Sequence, residues 1–132
     1  MSLAKEEIEA VVAYRKEKAY NTLKEAEDMI DTKHWNLAIQ RLYYACFYMA
    51  SALLMSRGIN ARTHNGVVGQ LGQNFVTNGF LTKDEGRLYS RLLQNRITGD
   101  YNDFFDFTRE DVAPLLEPTR NLLIKIDELI VF

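Results

Sequence analysis

The chain has 132 residues, 47% apolar and 26% charged, the balance of a single globular domain spanning residues 1–132, with length for one core and too little for two. Its 16 basic and 18 acidic side chains leave a net charge of −2, which excludes a bulk attraction to nucleic acid or anionic membrane and confines any such binding to a local patch. The single cysteine, Cys46, excludes an internal disulfide and fits a reducing cytoplasm, and no apolar run reaches the roughly 18 residues that span a bilayer.

The opening lacks the apolar core of a signal peptide, and Met1-Ser2-Leu3 reads as an expression remnant outside the fold. From Lys5 to Ile30, Ile8, Val11, Val12, Ala19, Leu23, Ala26, Met29 and Ile30 recur at threes and fours among Lys and Glu, which predicts an amphipathic helix. Asp31-Thr32-Lys33-His34 is a short connector. From Trp35 to Met55 the chain is apolar on nearly every side, so this second helix is central or buries a second face in a partner subunit. Arg57-Gly58-Ile59-Asn60 ends it, with Gly58 as the cap.

Thr63 opens a third helix with an inner stripe of Val67, Val68, Leu71 and Phe75, crossed by Gly66, Gly69 and Gly72. Each interior glycine costs about 1 kcal/mol, so packing must hold this helix. Asn78-Gly79 marks a turn, and Thr82-Lys83-Asp84-Glu85 is a capping box that starts a fourth helix carrying Leu88, Leu92, Leu93 and Arg96. Gly99 is positioned to cap that helix in the left-handed conformation. Thr108-Arg109-Glu110-Asp111 is a looser box before a last helix that Pro114 and Pro118 must bend or divide. No alternating strand pattern occurs. The reading is an all-α fold, a five-helix up-and-down antiparallel bundle.

Polar chemistry concentrates where the helical pattern stops, from Leu92 to Phe107. The glycines fit neither a phosphate-cradling loop nor a dinucleotide fingerprint, and His34 and His64 share no metal-ligand spacing, so no metal or cofactor is expected. Asp100, Asp103 and Asp106 repeat at three rather than at calcium-loop spacing; they read as a solvated acidic edge over buried Phe104 and Phe105.

What remains is Arg41, Tyr43, Tyr44, His64, Arg96, Asp100 and Tyr101. Arg41 and Tyr44, three apart, share one face of the second helix, with Tyr43 and Phe47 looking inward beside it. His64 follows the Thr63 cap, which puts its ring near backbone donors and suits either a hydrogen-bonded surface residue or a catalyst titrating near neutral pH. Arg96 is either a last-turn cation paired with Asp100 at i+4 or a phosphate clamp, since guanidinium is a rigid fork matched to phosphodiester oxygens. Tyr101 would then donate to the same oxygen or accept a modification.

The segment Ala38-Ile39-Gln40-Arg41-Leu42-Tyr43-Tyr44-Ala45-Cys46-Phe47 onward to Leu54, then Thr63-His64-Asn65-Gly66-Val67, Gly79 with Leu81, and Arg96 through Tyr101 resemble, in order and spacing, the HEPN superfamily of small helical prokaryotic proteins. That resemblance implies a helical bundle that forms a homodimer, with a polar site near the dimer cleft. It also implies one of two activities: a metal-independent ribonuclease of the toxin type, or a partner of a minimal nucleotidyltransferase that acts as antitoxin. The family's ribonuclease motif is an Arg followed within a few residues by a His. Here Arg96 takes the Arg position and Tyr101 stands where the His is expected, either as its substitute or as a displaced version of the Tyr that receives nucleotides in partnered toxins.

A phenol with a pKa near 10 is a poor base, so cleavage of RNA would need His64 to reach Arg96 in space. Three expectations follow. The first is a nucleotide- or RNA-binding component at Arg96, Asp100, Tyr101, Arg41 and Tyr44, partnered by a nucleotidyltransferase. The second is a ribonuclease with Arg96 and His64 as its catalytic pair, and the third a dimerisation module without catalysis.

Overall fold

The computed structural model describes residues 4–132, so the Met1-Ser2-Leu3 opening lies outside the described residues. Helices α1 (Lys5–Asp31) and α2 (Trp35–Ser56) form a long antiparallel hairpin with the most extensive contact in the molecule. α2 is also packed by α4 (Lys83–Tyr101) and α6 (Leu116–Glu128), and half its residues are buried, among them Ile39, Leu42, Tyr43, Met49 and Leu53. The small side chains Ala38, Ala45 and Ala50 allow that close approach, and all three are buried. The all-sided apolarity of Trp35 to Met55 is thus the signature of a central helix. All secondary structure among the described residues is helical, and the architecture is the antiparallel bundle expected from the periodicity.

Each helix end is closed by local chemistry. At the end of α2, Gly58 adopts φ +70°, its N–H donates to the Met55 carbonyl at 3.1 Å, and the Ile59 N–H donates to Leu54 at 2.9 Å, a Schellman closure at the expected glycine. α1 ends in the same closure on a lysine: Lys33 has φ +63°, and the His34 N–H donates to the Met29 carbonyl at 2.8 Å. α3 (His64–Leu71) starts at Thr63, whose Oγ1 accepts from the Gly66 N–H at 2.8 Å, and runs on as a single π-helical turn, Gly72–Val76. The inner stripe is as read, with Val67, Leu71 and Phe75 buried. The Thr82 and Glu85 capping box forms in both directions at 3.0 and 2.7 Å.

Two expectations are corrected. Gly99 does not cap α4; the helix continues through Tyr101. A Cβ on Gly99 would lie 3.2 Å from the Phe107 ring, so the glycine makes room for an aromatic contact within the helix. Phe104 and Phe105 are exposed rather than buried beneath the acidic edge; the buried aromatic there is Phe107, whose N–H donates to Asn36 Oδ1 at 2.9 Å. The last helix is divided, as its prolines require, into α5 (Arg109–Val112), a 3₁₀ turn (Ala113–Leu115) and α6, because Pro114 and Pro118 cannot donate to the helical ladder.

Candidate functional site

Arg96 projects from α4 against the aromatic face of α2, its side chain only 12% exposed. Its guanidinium carbon lies 5.4 Å from the Tyr43 ring centre and 5.7 Å from that of Tyr44, within range of a cation–π interaction with each. Nη1 donates to the Tyr44 hydroxyl at 2.9 Å, whereas the Asp100 carboxylate on the next turn stands off at 3.8 Å. Nε is buried with no hydrogen-bond partner among the described residues. The cation is therefore held chiefly by neutral groups, and its charge is compensated loosely by one half-exposed carboxylate.

His64 reaches this wall from the first turn of α3. The Thr63 cap fixes the start of that helix, so the imidazole lands on α2, where Nδ1 and the Tyr43 hydroxyl are 2.6 Å apart. Phe47 lies 4.7 Å from the imidazole and Tyr44 5.9 Å, centre to centre. Burial, and then the positive charge of Arg96, push the His64 pKa below its ordinary 6.5, so its neutral form prevails at pH 7. Burial pushes the Tyr43 phenol up to about 12, and the neighbouring Tyr89 hydroxyl, then Arg96, pull against that shift. Beneath it Tyr89 is fully buried, 6.0 Å from the Tyr43 ring, and its hydroxyl makes no hydrogen bond among the described residues.

The structure thus brings Arg96, Asp100, Tyr44 and His64 together, and the histidine is joined to the arginine through Tyr43 and Tyr44, each of which touches both. Arg41 sits at the rim: its guanidinium lies 5.7 Å from the Tyr44 ring centre, donates to Gln40 Oε1 at 3.1 Å and pairs with Glu25 at 3.6 Å. Tyr101 stands apart. Five residues beyond Arg96, it lies about 140° around the helix, and its side chain is 78% exposed. Tyr43 was legible only as an inward aromatic. Its neighbours Arg41 and Tyr44 carry the surface spacing, and nothing local marks the hydroxyl as the link to a residue 21 positions on.

Of the acidic trio, Asp100 faces Arg96, Asp106 accepts from Asn36 Nδ2 at 3.2 Å, and Asp103 is exposed. No group of three His, Cys, Asp or Glu side chains converges as a metal site among the described residues. Nor, among them, is any helix long and apolar enough to cross a membrane.

The profile of the HEPN domain family matches residues 12–129. A UPF0332 protein of Thermotoga maritima is 32% identical over 124 residues, covering 94% of each chain. Two proteins of Methanocaldococcus jannaschii named as candidate toxins are 28% identical over 112 residues, covering 85% of this chain and 74% of theirs, and 33% identical over 97 residues, covering 74% and 69%. The crystal structure of TT1696 from Thermus thermophilus superposes with a TM-score of 0.75 over 89% of this chain and 97% of its own, at 17% identity, a likeness of fold. With a profile match running from the second turn of α1 to the last residues of the bundle, the chain belongs to the HEPN domain family.

Proposed function

We propose that this protein is the HEPN component of a toxin–antitoxin-like pair and binds a phosphate of a nucleotide or of RNA at Arg96. The observation that carries this reading is the state of the Arg96 charge: nearly buried, bonded to a phenol at 2.9 Å, 3.8 Å from its carboxylate, with Nε unpartnered. A guanidinium so loosely neutralised gains most from an anion with several oxygens, and two oxygens of a tetrahedral phosphate match the spacing of its planar fork. Tyr44, Asp100 and His64 line the approach, Arg41 adds a second cation at the rim, and Tyr101 is accessible for modification at the end of α4. The candidate-toxin names of two relatives support the toxin class.

The partner is a minimal nucleotidyltransferase, and the protein works as a single-domain homodimer in the cytoplasm. Buried, reduced Cys46 is compatible with that compartment; burial raises its thiol pKa to about 12, which leaves it unreactive. Incubation with a minimal nucleotidyltransferase and ATP is expected to add a nucleotide to Tyr101, read as a mass increase that Tyr101→Phe removes. No mass change and no complex between the two proteins would remove the pairing.

A second reading has its own observation. His64 shares a wall with Arg96 and is neutral at pH 7, as the base of a metal-free ribonuclease built from this pair would be. Cleavage of RNA in chelator by the wild type, lost in both Arg96→Ala and His64→Ala, would establish it; absence of cleavage would leave the binding component.

A further inference from the structure

Whether His64 is a base or a donor depends on which atom carries the proton in the 2.6 Å contact between its Nδ1 and the Tyr43 hydroxyl. Tyr43 is 0% exposed, so water does not share its hydroxyl, and its raised pKa keeps the phenol protonated. That hydroxyl has one hydrogen-bond partner among the described residues, and it is Nδ1. The other hydroxyl beside it, that of Tyr89, makes no hydrogen bond. If Nδ1 held a proton and donated to Tyr43, the phenol's own proton could turn only to the Tyr89 oxygen, with which it forms no hydrogen bond, and both buried phenol protons would then lack a partner, the costlier arrangement. If the imidazole were doubly protonated, two donors would face each other and the charge of Arg96 would oppose the cation.

We infer that Tyr43 is a positioning residue: by donating to Nδ1 it fixes His64 as the neutral Nε2–H tautomer, a hydrogen-bond donor to a phosphate oxygen beside Arg96 and not a general base. Phe47 and Tyr44 hold the ring in that orientation from the same helix. The groups that face the imidazole are Tyr43, Tyr44 and Phe47 from α2, with the charge of Arg96 from α4 acting on it, and among the described residues no carboxylate, Asp100 included, pairs with it to stabilise an imidazolium. A guanidinium and a neutral N–H then make a two-point clamp for phosphate oxygens, while the nitrogen that would have to abstract a 2′-hydroxyl proton is already protonated. The functional consequence rests on the phosphate reading given above; the tautomer does not.

Imidazole 15N resonances of the labelled full chain test both halves. In the wild type at neutral pH, Nδ1 is expected to read as an unprotonated acceptor and Nε2 as protonated. Tyr43→Phe keeps the ring and removes the hydroxyl; it is expected to mix the tautomers and raise the His64 titration midpoint by about half a pH unit or more. Tyr44→Phe, which removes the hydroxyl on Arg96, is expected to leave the tautomer in place. An Nδ1–H form in the wild type, or an unchanged signature in Tyr43→Phe, overturns the inference.

Titration with inorganic phosphate is expected to shift the Nε2–H resonance in the wild type and to bind severalfold more weakly to Tyr43→Phe. Equal binding by Tyr43→Phe overturns the clamp. A wild type with the expected tautomer that binds no phosphate upholds the positioning role of Tyr43 and removes the functional reading instead.

Discussion

At the scale of single residues, the site is a cation and an imidazole held by aromatic rings, and that arrangement ties stability to pH. His64 has a folded pKa below its ordinary 6.5. The folded state therefore takes up its proton less readily than the unfolded chain, and the His64 contribution to stability is present above 6.5 and lost as pH falls through the depressed folded value. Urea unfolding between pH 7 and pH 5 is expected to show a smaller loss of stability in His64→Gln than in the wild type; an equal loss would show that His64 is not the group responsible. The sequence made one part of this legible. Arg96 and Asp100 sit at i and i+4, and spacing alone placed them on one face. The bond between Tyr43 and His64 was not legible, because it depends on where the turn after Gly58 sets Thr63, which no local periodicity encodes.

At the scale of elements, helix ends explain what the sequence yielded and where it misled. Gly58, Asn78-Gly79, Thr63 and the Thr82 box all behave as their local chemistry dictates, since each needs only residues within a turn of itself. Gly99 misled because its reason is non-local: the Phe107 ring occupies the space of its missing side chain. Gly99→Leu is expected to destabilise the protein by about 1–3 kcal/mol by displacing Phe107, measured as a lower denaturation midpoint; an unchanged midpoint would mean that the contact is slack. Lys33 is the converse case, a lysine at φ +63° where a glycine would be unstrained. Lys33→Gly is expected to raise stability by about 0.5–1 kcal/mol, seen as a higher Tm, because relief of the left-handed conformation outweighs the added freedom of the unfolded chain.

At the scale of the whole molecule, apolar packing on α2 dominates the polar links that tie α1 to α6. Asp127 accepts from the Tyr20 hydroxyl at 2.6 Å and pairs with Lys16 at 2.7 Å, and Arg120 pairs with Glu27, all with partly exposed side chains. Such pairs are each worth about 1 kcal/mol or less. Leu42 is fully buried in α2, and its truncation leaves a cavity where several helices meet. Leu42→Ala is expected to cost about 3 kcal/mol and Asp127→Ala about 1 kcal/mol or less in chemical denaturation, an order that a fold held by its polar links would reverse. The bundle was legible because burial on this scale writes itself into the periodicity of every helix. The site occupies one face of α2 and one turn each of α3 and α4, and only the assembled bundle brings these together.

The most direct measurement on the function of that face is the binding of a short single-stranded RNA to the purified protein in chelator, wild type against Arg96→Lys and Arg96→Ala. Lysine keeps the charge and loses the fork, so affinity is expected to fall by about tenfold in Arg96→Lys and further in Arg96→Ala. Equal affinity across the three proteins, or no binding by the wild type, would contradict a phosphate site at Arg96.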